Sequence, residues 1–278
     1  MPELLIVGGL TIDRFVDRTS APGGSVIHSG AAAVAAGVRP AFLTVAGHEP
    51  EAATGLERLA AMGDVVRQHS PRTTTFGHSE VDGRRVLALE ANAAPIGPPF
   101  SGNPPAVALL APIADELPAD AVAALRDALR PRIAVFLIQG WLRRLLIGEA
   151  VHPLSLEEVP WDVWDAFAGA DAIVVSTEDL AESPQDPFVQ AAGVRARIGP
   201  RPLLLLTLGP EGYLLDDPSL DRVVASMPRR IVENVPMVGA GDTFGAVLAI
   251  HLARGANATD AAAAATDGVI RMLEGRLV

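Results

Sequence analysis

Cysteine and lysine are both missing from the 278 residues, so all 22 basic side chains are arginine. Without cysteine there is no disulfide, no thiolate metal site, no iron–sulfur cluster and no cysteine nucleophile. Without lysine there is no Walker A loop, no protein-kinase-type strand lysine and no amine for a Schiff base. Long apolar runs are also lacking. The Ala-rich stretches break well before the ~18–20 residues that a membrane span needs. The opening stretch MPELLIVGGLTID has no basic segment, and its short apolar run closes at Gly8-Gly9. A cytoplasmic location and no membrane partner are expected. Positive charge is scarce: 22 basic against 33 acidic side chains give a net charge of −11, which excludes a general nucleic-acid binder. The expected partner is a small molecule, and any anion must be held by local features.

What is present is an apolar, well-charged chain of ordinary balance, 49% hydrophobic and 20% charged, long enough for one large core. Short buried-strand patterns at 3–9, 41–46, 65–68, 106–110, 133–138, 172–175 and 203–207 alternate with helical patterns at 25–36, 51–62, 119–129, 161–167 and 187–198. Two strand runs, 213–216 and 222–225, and two helices, about 240–254 and 258–273, close the chain. Alternation of this kind predicts an α/β fold with a mostly parallel central sheet covered on both faces. One segment breaks the rhythm. Residues 73–91 place Asp82-Gly83 between two strand-like runs, a hairpin signal, and predict a small flap on a single domain spanning 1–278.

The segment with most chemical content is Val238-Gly239-Ala240-Gly241-Asp242-Thr243-Phe244-Gly245, followed by a helical AVLAIHLA. Small residues let a ligand approach the backbone. The first amides of a helix lack internal partners and, with the helix dipole, form an anion site. Asp242 would sit at its edge, placed to take a proton from a hydroxyl beside a phosphate. The same residues would also serve as a plain glycine turn with Asp as N-cap. A dinucleotide fingerprint does not fit, since the spacing is G-x-G-x-x-x-G and the segment lies near the C-terminus. Asp13 follows the first strand, where open α/β sheets bind ligands, and a carboxylate there can accept from vicinal hydroxyls; a solvated loop Asp is the alternative.

This GAGD segment resembles the signature of the PfkB/ribokinase-type carbohydrate kinase family. Gly8 with Asp13, the double glycine Gly23-Gly24 before a small-residue helix, Thr207-Leu208-Gly209 with Gly212, and the Ala-rich last helix resemble further family segments in the same order. The resemblance implies a ribokinase-like αβα sandwich with a small β lid, formed here by about 10–20 and 73–91. It implies transfer of the ATP γ-phosphate to a substrate hydroxyl, with Mg²⁺. Asp242 would be the general base, with the amides of Gly239, Ala240 and Gly241 as the anion hole. Asp13, Gly23, Gly24 and His28 would meet the substrate, and Thr207, Gly209, Gly212, Ser176 and Arg143 the nucleotide. Asp179 would lie near the metal. A homodimer through the lid is a further implication.

Four places depart from the family pattern. His28 stands where most members have Asn, which suggests a shifted acceptor such as a cyclitol, or a histidine satisfied within its helix. Ser176 and Asp179 stand at the ends of the family's Asn-x-x-Glu; they would approach phosphate and metal, or simply cap a helix start. Pro236-Met237-Val238 replaces Asp-Thr-Thr and removes two hydroxyls and a carboxylate. Gln139 to Arg143 replaces an acidic or Asn-bearing segment; Arg143 would balance phosphate in a chain without lysine, or lie on the surface. The expected function is an ATP-dependent kinase of a sugar, cyclitol or nucleoside hydroxyl. A vitamin-precursor kinase and a ligand-binding member without catalysis are the alternatives.

Overall fold

The computed structural model describes residues 3–81, 84–98, 100, 104–181, 186–220, 222–233 and 235–276. In chain order the strands and helices begin with β1 (Leu4–Val7), β2 (Thr11–Arg14), β3 (Ser20–Gly23), α1 (Ser25–Ala35), β4 (Ala41–Ala46), α2 (Pro50–Met62) and β5 (Asp64–His69). There follow β6 (Thr74–Val81), β7 (Arg84–Ala91), β8 (Val107–Leu110), α3 (Ala119–Leu129), β9 (Ile133–Leu137), β10 (Arg143–Arg144) and β11 (His152–Pro153). The last are α4 (Trp161–Phe167), β12 (Ala172–Ser176), α5 (Pro187–Ile198), β13 (Leu203–Thr207), β14 (Tyr213–Asp216), β15 (Val224–Ser226), α6 (Ala240–Ala253) and α7 (Ala258–Leu273).

Nine strands form the main sheet in the order β15-β14-β13-β12-β9-β8-β1-β4-β5. Only β14 and β15 run antiparallel to their neighbours. Strands β1, β8 and β9 are apolar at every position because both sheet faces are covered. Side chains alternate between faces, and the two cores follow that period. Leu4 and Ile6 enter a core with residues of α1, α2, α6 and α7, whereas Leu5 and Val7 enter one with α3, α4 and α5. Strand β1 pairs with β4 on one side and β8 on the other. The chain order reverses there, and the crevice beyond the strand ends at such a switch point is where open α/β sheets take ligands.

A second sheet, ordered β3-β2-β6-β7, stands over that end. Its backbone pairing extends past β7: Gly148 N–H donates to Leu89 O (2.8 Å), Leu89 N–H to Glu149 O (3.1 Å) and Val151 N–H to Leu87 O (2.7 Å). The small sheet thus takes residues 148–151 as well as stretches near 10–20 and 73–91. Those residues belong to a hairpin excursion between β10 and β11, a stretch to which the sequence pattern assigns no element. The expected Asp82-Gly83 turn lies outside the described residues. Phe76 and Leu89 face the main domain and pack on Ala114. No helix among the described residues is long and apolar enough to cross a membrane.

Candidate active site

The sheet's carboxyl end collects the candidate residues from six segments, and close backbone approach explains several glycines. Gly8, just past β1, lies so near Ala111 that a Cβ would fall 2.4 Å from the Ala111 carbonyl oxygen. Gly24 caps α1 at φ 97°, and a Cβ there would meet Gly9 O. Gly23 is the last residue of β3, opposite Thr11 on β2, and a Cβ there would collide with Asp13 Oδ2. The double glycine therefore brings β3 and the start of α1 against Asp13 and the turn after β1.

Beneath this corner lies Glu116, fully buried. Its Oε1 accepts from Gly9 N–H (2.8 Å) and Ile113 N–H (2.8 Å), and its Oε2 from Ala114 N–H (2.8 Å). Burial raises the Glu116 pKa above the usual carboxylate value, and the three amides oppose the rise. This strut joins the turn after β1 to the loop after β8. The sequence reading did not find it, and its only trace was the acidic pair Asp115-Glu116 between apolar residues in A-P-I-A-D-E-L-P.

One helical turn into α1, His28 meets Gly239, the αL residue (φ 80°) that opens α6; a Cβ on Gly239 would lie 2.5 Å from the His28 ring. Ser29 Oγ donates to the Asp242 backbone oxygen at 3.3 Å. Gly239 is the N-cap and receives no side-chain cap. Asp242 is the third residue inside the helix and not its N-cap, so the plain-cap reading of the GAGD segment does not hold. The Ala240, Gly241 and Asp242 amides belong to the first turn, whose N–H groups have no intrahelical acceptor; that of Ala240 donates instead to Met237 O at 3.0 Å. A Cβ on Gly241 would meet no atom within 4 Å, so open space lies over the amides at that point.

Burial is the largest influence on Asp242 and raises its pKa; His28 and Arg143 pull it down, and Asp179 pushes it further up. Asp179 is likewise raised by burial and lowered by Arg143. Arg143 donates to Ile113 O at 3.2 Å. Burial lowers its pKa, while Asp179, Asp242 and Glu116 act the other way. One guanidinium thus stands among three carboxylates, half-buried rather than on the surface.

Ser176 and Asp179 form a capping box around the short turn Thr177–Asp179. Ser176 Oγ accepts from Glu178 N–H (3.2 Å), and Asp179 Oδ2 accepts from Ser176 N–H (3.1 Å). Asp179 Oδ1 accepts from Gln139 Nε2 at 3.1 Å. The capping alternative is realised, and it fixes the Asp179 carboxylate with a lone pair on each oxygen still open. Thr207 ends β13 directly beside Ser176, and its hydroxyl donates to Val175 O at 3.4 Å. Gly209 (φ 58°) and Gly212 (φ 100°) shape the turn that follows. A Cβ on Gly212 would overlap Ser226 O, so this glycine is needed for the β14–β15 contact. No cluster of three or more potential metal ligands occurs among the described residues.

No family model matches the chain. No curated protein matches it either. Solved structures do. A pyrophosphate-dependent kinase in the ribokinase family, complexed with a pyrophosphate analogue and myo-inositol, superposes with a TM-score of 0.78 at 19% identity, over 98% of this chain and 95% of that one. Ribokinase from Arabidopsis thaliana, complexed with ribose and ATP, gives 0.70 at 17% identity over 98% and 99%. Fructokinase from Vibrio cholerae O395 gives 0.68 at 19% identity over 99% of both chains. Helices on both faces of a mostly parallel sheet, a small sheet over its carboxyl end and full-length superposition agree: the chain has the ribokinase-like fold.

Proposed function

We propose that the protein is a phosphotransferase that phosphorylates a hydroxyl of a small polyol, with Asp242 as general base. The observation that carries this reading is the pairing of Asp242 with the first turn of α6. A carboxylate with a raised pKa stands in the first turn of α6, where the side of Gly241 opens onto free space. The carboxylate takes the proton of the acceptor hydroxyl as its oxygen attacks phosphorus. The amides of Gly239 and Gly241 hold the equatorial oxygens of the transferring group, while that of Ala240 is taken by Met237 O. Arg143 offsets charge on the donor phosphates, as the one cation among Glu116, Asp179 and Asp242. Asp13, backed by Gly23, accepts from hydroxyls of the polyol, with Gly24 and His28 at the start of α1 on the acceptor side and His28 against Gly239. The small sheet is the lid that excludes water, so that the polyol and not water is phosphorylated.

The surplus of carboxylates over cations fits a divalent ion shared with the donor. Asp179 would contribute to it, with the remaining ligands from phosphate and water. Mg²⁺ bound there would neutralise phosphate charge. Thr207, Gly209, Gly212 and Ser176 line the end of β13 and β12 where the nucleotide of ATP would lie. A second donor reading, inorganic pyrophosphate, is supported by the pyrophosphate-dependent kinase that superposes over 98% of the chain. It needs only the phosphate-facing groups, Arg143 and the α6 amides. Membership in the sugar and cyclitol kinases, a cytoplasmic setting and a lid-mediated homodimer are parts of the same proposal.

The test is an acceptor panel of myo-inositol and other cyclitols, ribose, fructose and nucleosides, run with Mg·ATP and with Mg·pyrophosphate. Acceptor-dependent release of ADP or orthophosphate is expected with one donor. Silence with both donors, in protein that binds them, contradicts the reading and favours a ligand-binding protein without catalysis.

A further inference from the structure

Among the described residues, Arg143 and Asp179 act on each other's charge without closing an ion pair. Opposite charges that near in a partly buried site attract strongly. Each is held by a neutral partner instead. Asp179 Oδ1 accepts from Gln139 Nε2 (3.1 Å) and Oδ2 from Ser176 N–H (3.1 Å). The Arg143 guanidinium donates to Ile113 O at 3.2 Å. A carboxylate only accepts, so the nitrogen side of the Gln139 amide is the side that faces it. The Ser176 contact belongs to the capping box and comes with the local turn. The Gln139 contact spans 40 positions and ties the turn after β9 to the turn after β12. Gln139 lies in the short 3-10 turn Ile138–Leu142, and Arg143 caps its end. That turn is anchored: Ile138 and Leu142 are fully buried, Gly140 N–H donates to Pro112 O (3.2 Å), and Trp141 Nε1 donates to Leu117 O (2.7 Å). One fixed turn therefore presents both the amide that holds Asp179 and the cation that attracts it.

The terminal torsion of an Asp side chain is broad and nearly two-fold, so without the Gln139 contact Asp179 could turn onto the guanidinium. A carboxylate and a guanidinium joined in that way satisfy each other and leave neither to a ligand. We propose that Gln139 is a positioning residue that holds the Asp179 carboxylate off Arg143, so that both stay open to the charged donor. The proposal rests on the phosphotransferase reading for what enters the gap and adds what keeps the gap from closing. The carboxylate then faces the divalent ion and the guanidinium the phosphate oxygens. Charges held short of their best mutual contact lower stability, so a variant that lets them meet keeps or gains stability while it loses function.

A double-mutant cycle separates positioning from packing. Gln139→Met keeps the length of the side chain and loses the donor. It is made alone and together with Arg143→Met, which removes the guanidinium. Urea unfolding of the full chain is measured without ligand, and binding of Mg·pyrophosphate and Mg·ATP by calorimetry. With Arg143 in place, Gln139→Met is expected to leave the urea midpoint level or raise it, because Asp179 finds the guanidinium. In Arg143→Met the same change is expected to lower the midpoint, because Asp179 loses a donor and has no cation to turn to. For the donor that binds, Gln139→Met is expected to weaken binding by about tenfold or more, and by less than about threefold once Arg143 is replaced. The same midpoint shift in both backgrounds overturns the proposal, as does wild-type donor affinity in Gln139→Met. Wild-type protein that binds neither donor contradicts the phosphotransferase reading alone, since the unfolding cycle still decides whether Gln139 holds the two charges apart.

Discussion

Replacing Gly241 by alanine separates the anion-hole account from any structural role of that glycine. Gly241 lies in the first turn of α6 and is not among the glycines with positive φ, so its backbone suits alanine. Its added Cβ would meet no protein atom within 4 Å. Alanine is favoured over glycine inside a helix by up to ~1 kcal/mol. Stability should therefore stay level or rise slightly. The same methyl would stand in the space where the transferring phosphoryl group must sit. A displacement of ~1 Å at a reacting centre costs ~10²-fold in rate, or ~2.7 kcal/mol. Urea unfolding and steady-state kinetics on Gly241→Ala should show an unchanged or higher midpoint with kcat reduced by ~10²-fold. Full activity in this variant would refute the placement of the phosphoryl group over the α6 amides. Gly239→Ala is the contrast: its αL backbone and its contact with His28 should lower stability as well as rate.

Glu116→Ala should lower unfolding stability by ~2–4 kcal/mol, because it strands three buried amides at once; an unchanged urea midpoint would contradict the strut. The raised Asp242 pKa predicts that kcat falls with decreasing pH at a value above the ordinary ~3.9 of aspartate, since the base must be deprotonated; a pH–rate profile with its acid limb at or below that value would contradict it. For stability the sign is the reverse. Glu116, Asp179 and Asp242 bind protons more tightly when folded, so their contribution declines as pH rises from ordinary carboxylate values through the raised ones. Arg143→Met should raise the donor KM and shift the acid limb of kcat upward, because it removes a charge that lowers the Asp242 pKa; an unmoved limb would place Arg143 outside the site.

The layered fold was legible where local and global signals agree. LLIV at β1 is apolar throughout because a parallel strand is buried on both faces. Asp186 accepts from Phe188 N–H with Pro187 next to it, and Asn257 accepts from Asp260 N–H, so α5 and α7 begin where their caps stand. The glycine signatures were legible because close backbone approach admits no other residue, as Gly24 against Gly9 shows. Contacts made only in three dimensions were hidden. The excursion at 148–151 joins the small sheet through backbone hydrogen bonds, with Val151 against its apolar face, and neither leaves a strand-like alternation in LRRLLIGEAV. The approach of His78 Nε2 to within 3.1 Å of Asp13 Oδ1 joins residues of two strands that pair only after folding. Glu116 takes two amides, Ile113 and Ala114, from its own loop, but nothing in that loop marks the third, Gly9, 107 positions away.

The central claim is that Asp242 takes the proton from the acceptor hydroxyl, and Asp242→Asn tests it most directly. Asparagine keeps the size and removes the base. The account predicts that kcat falls by ~10²-fold or more while donor binding, measured by calorimetry, stays within about threefold. Turnover equal to wild type in Asp242→Asn would contradict it.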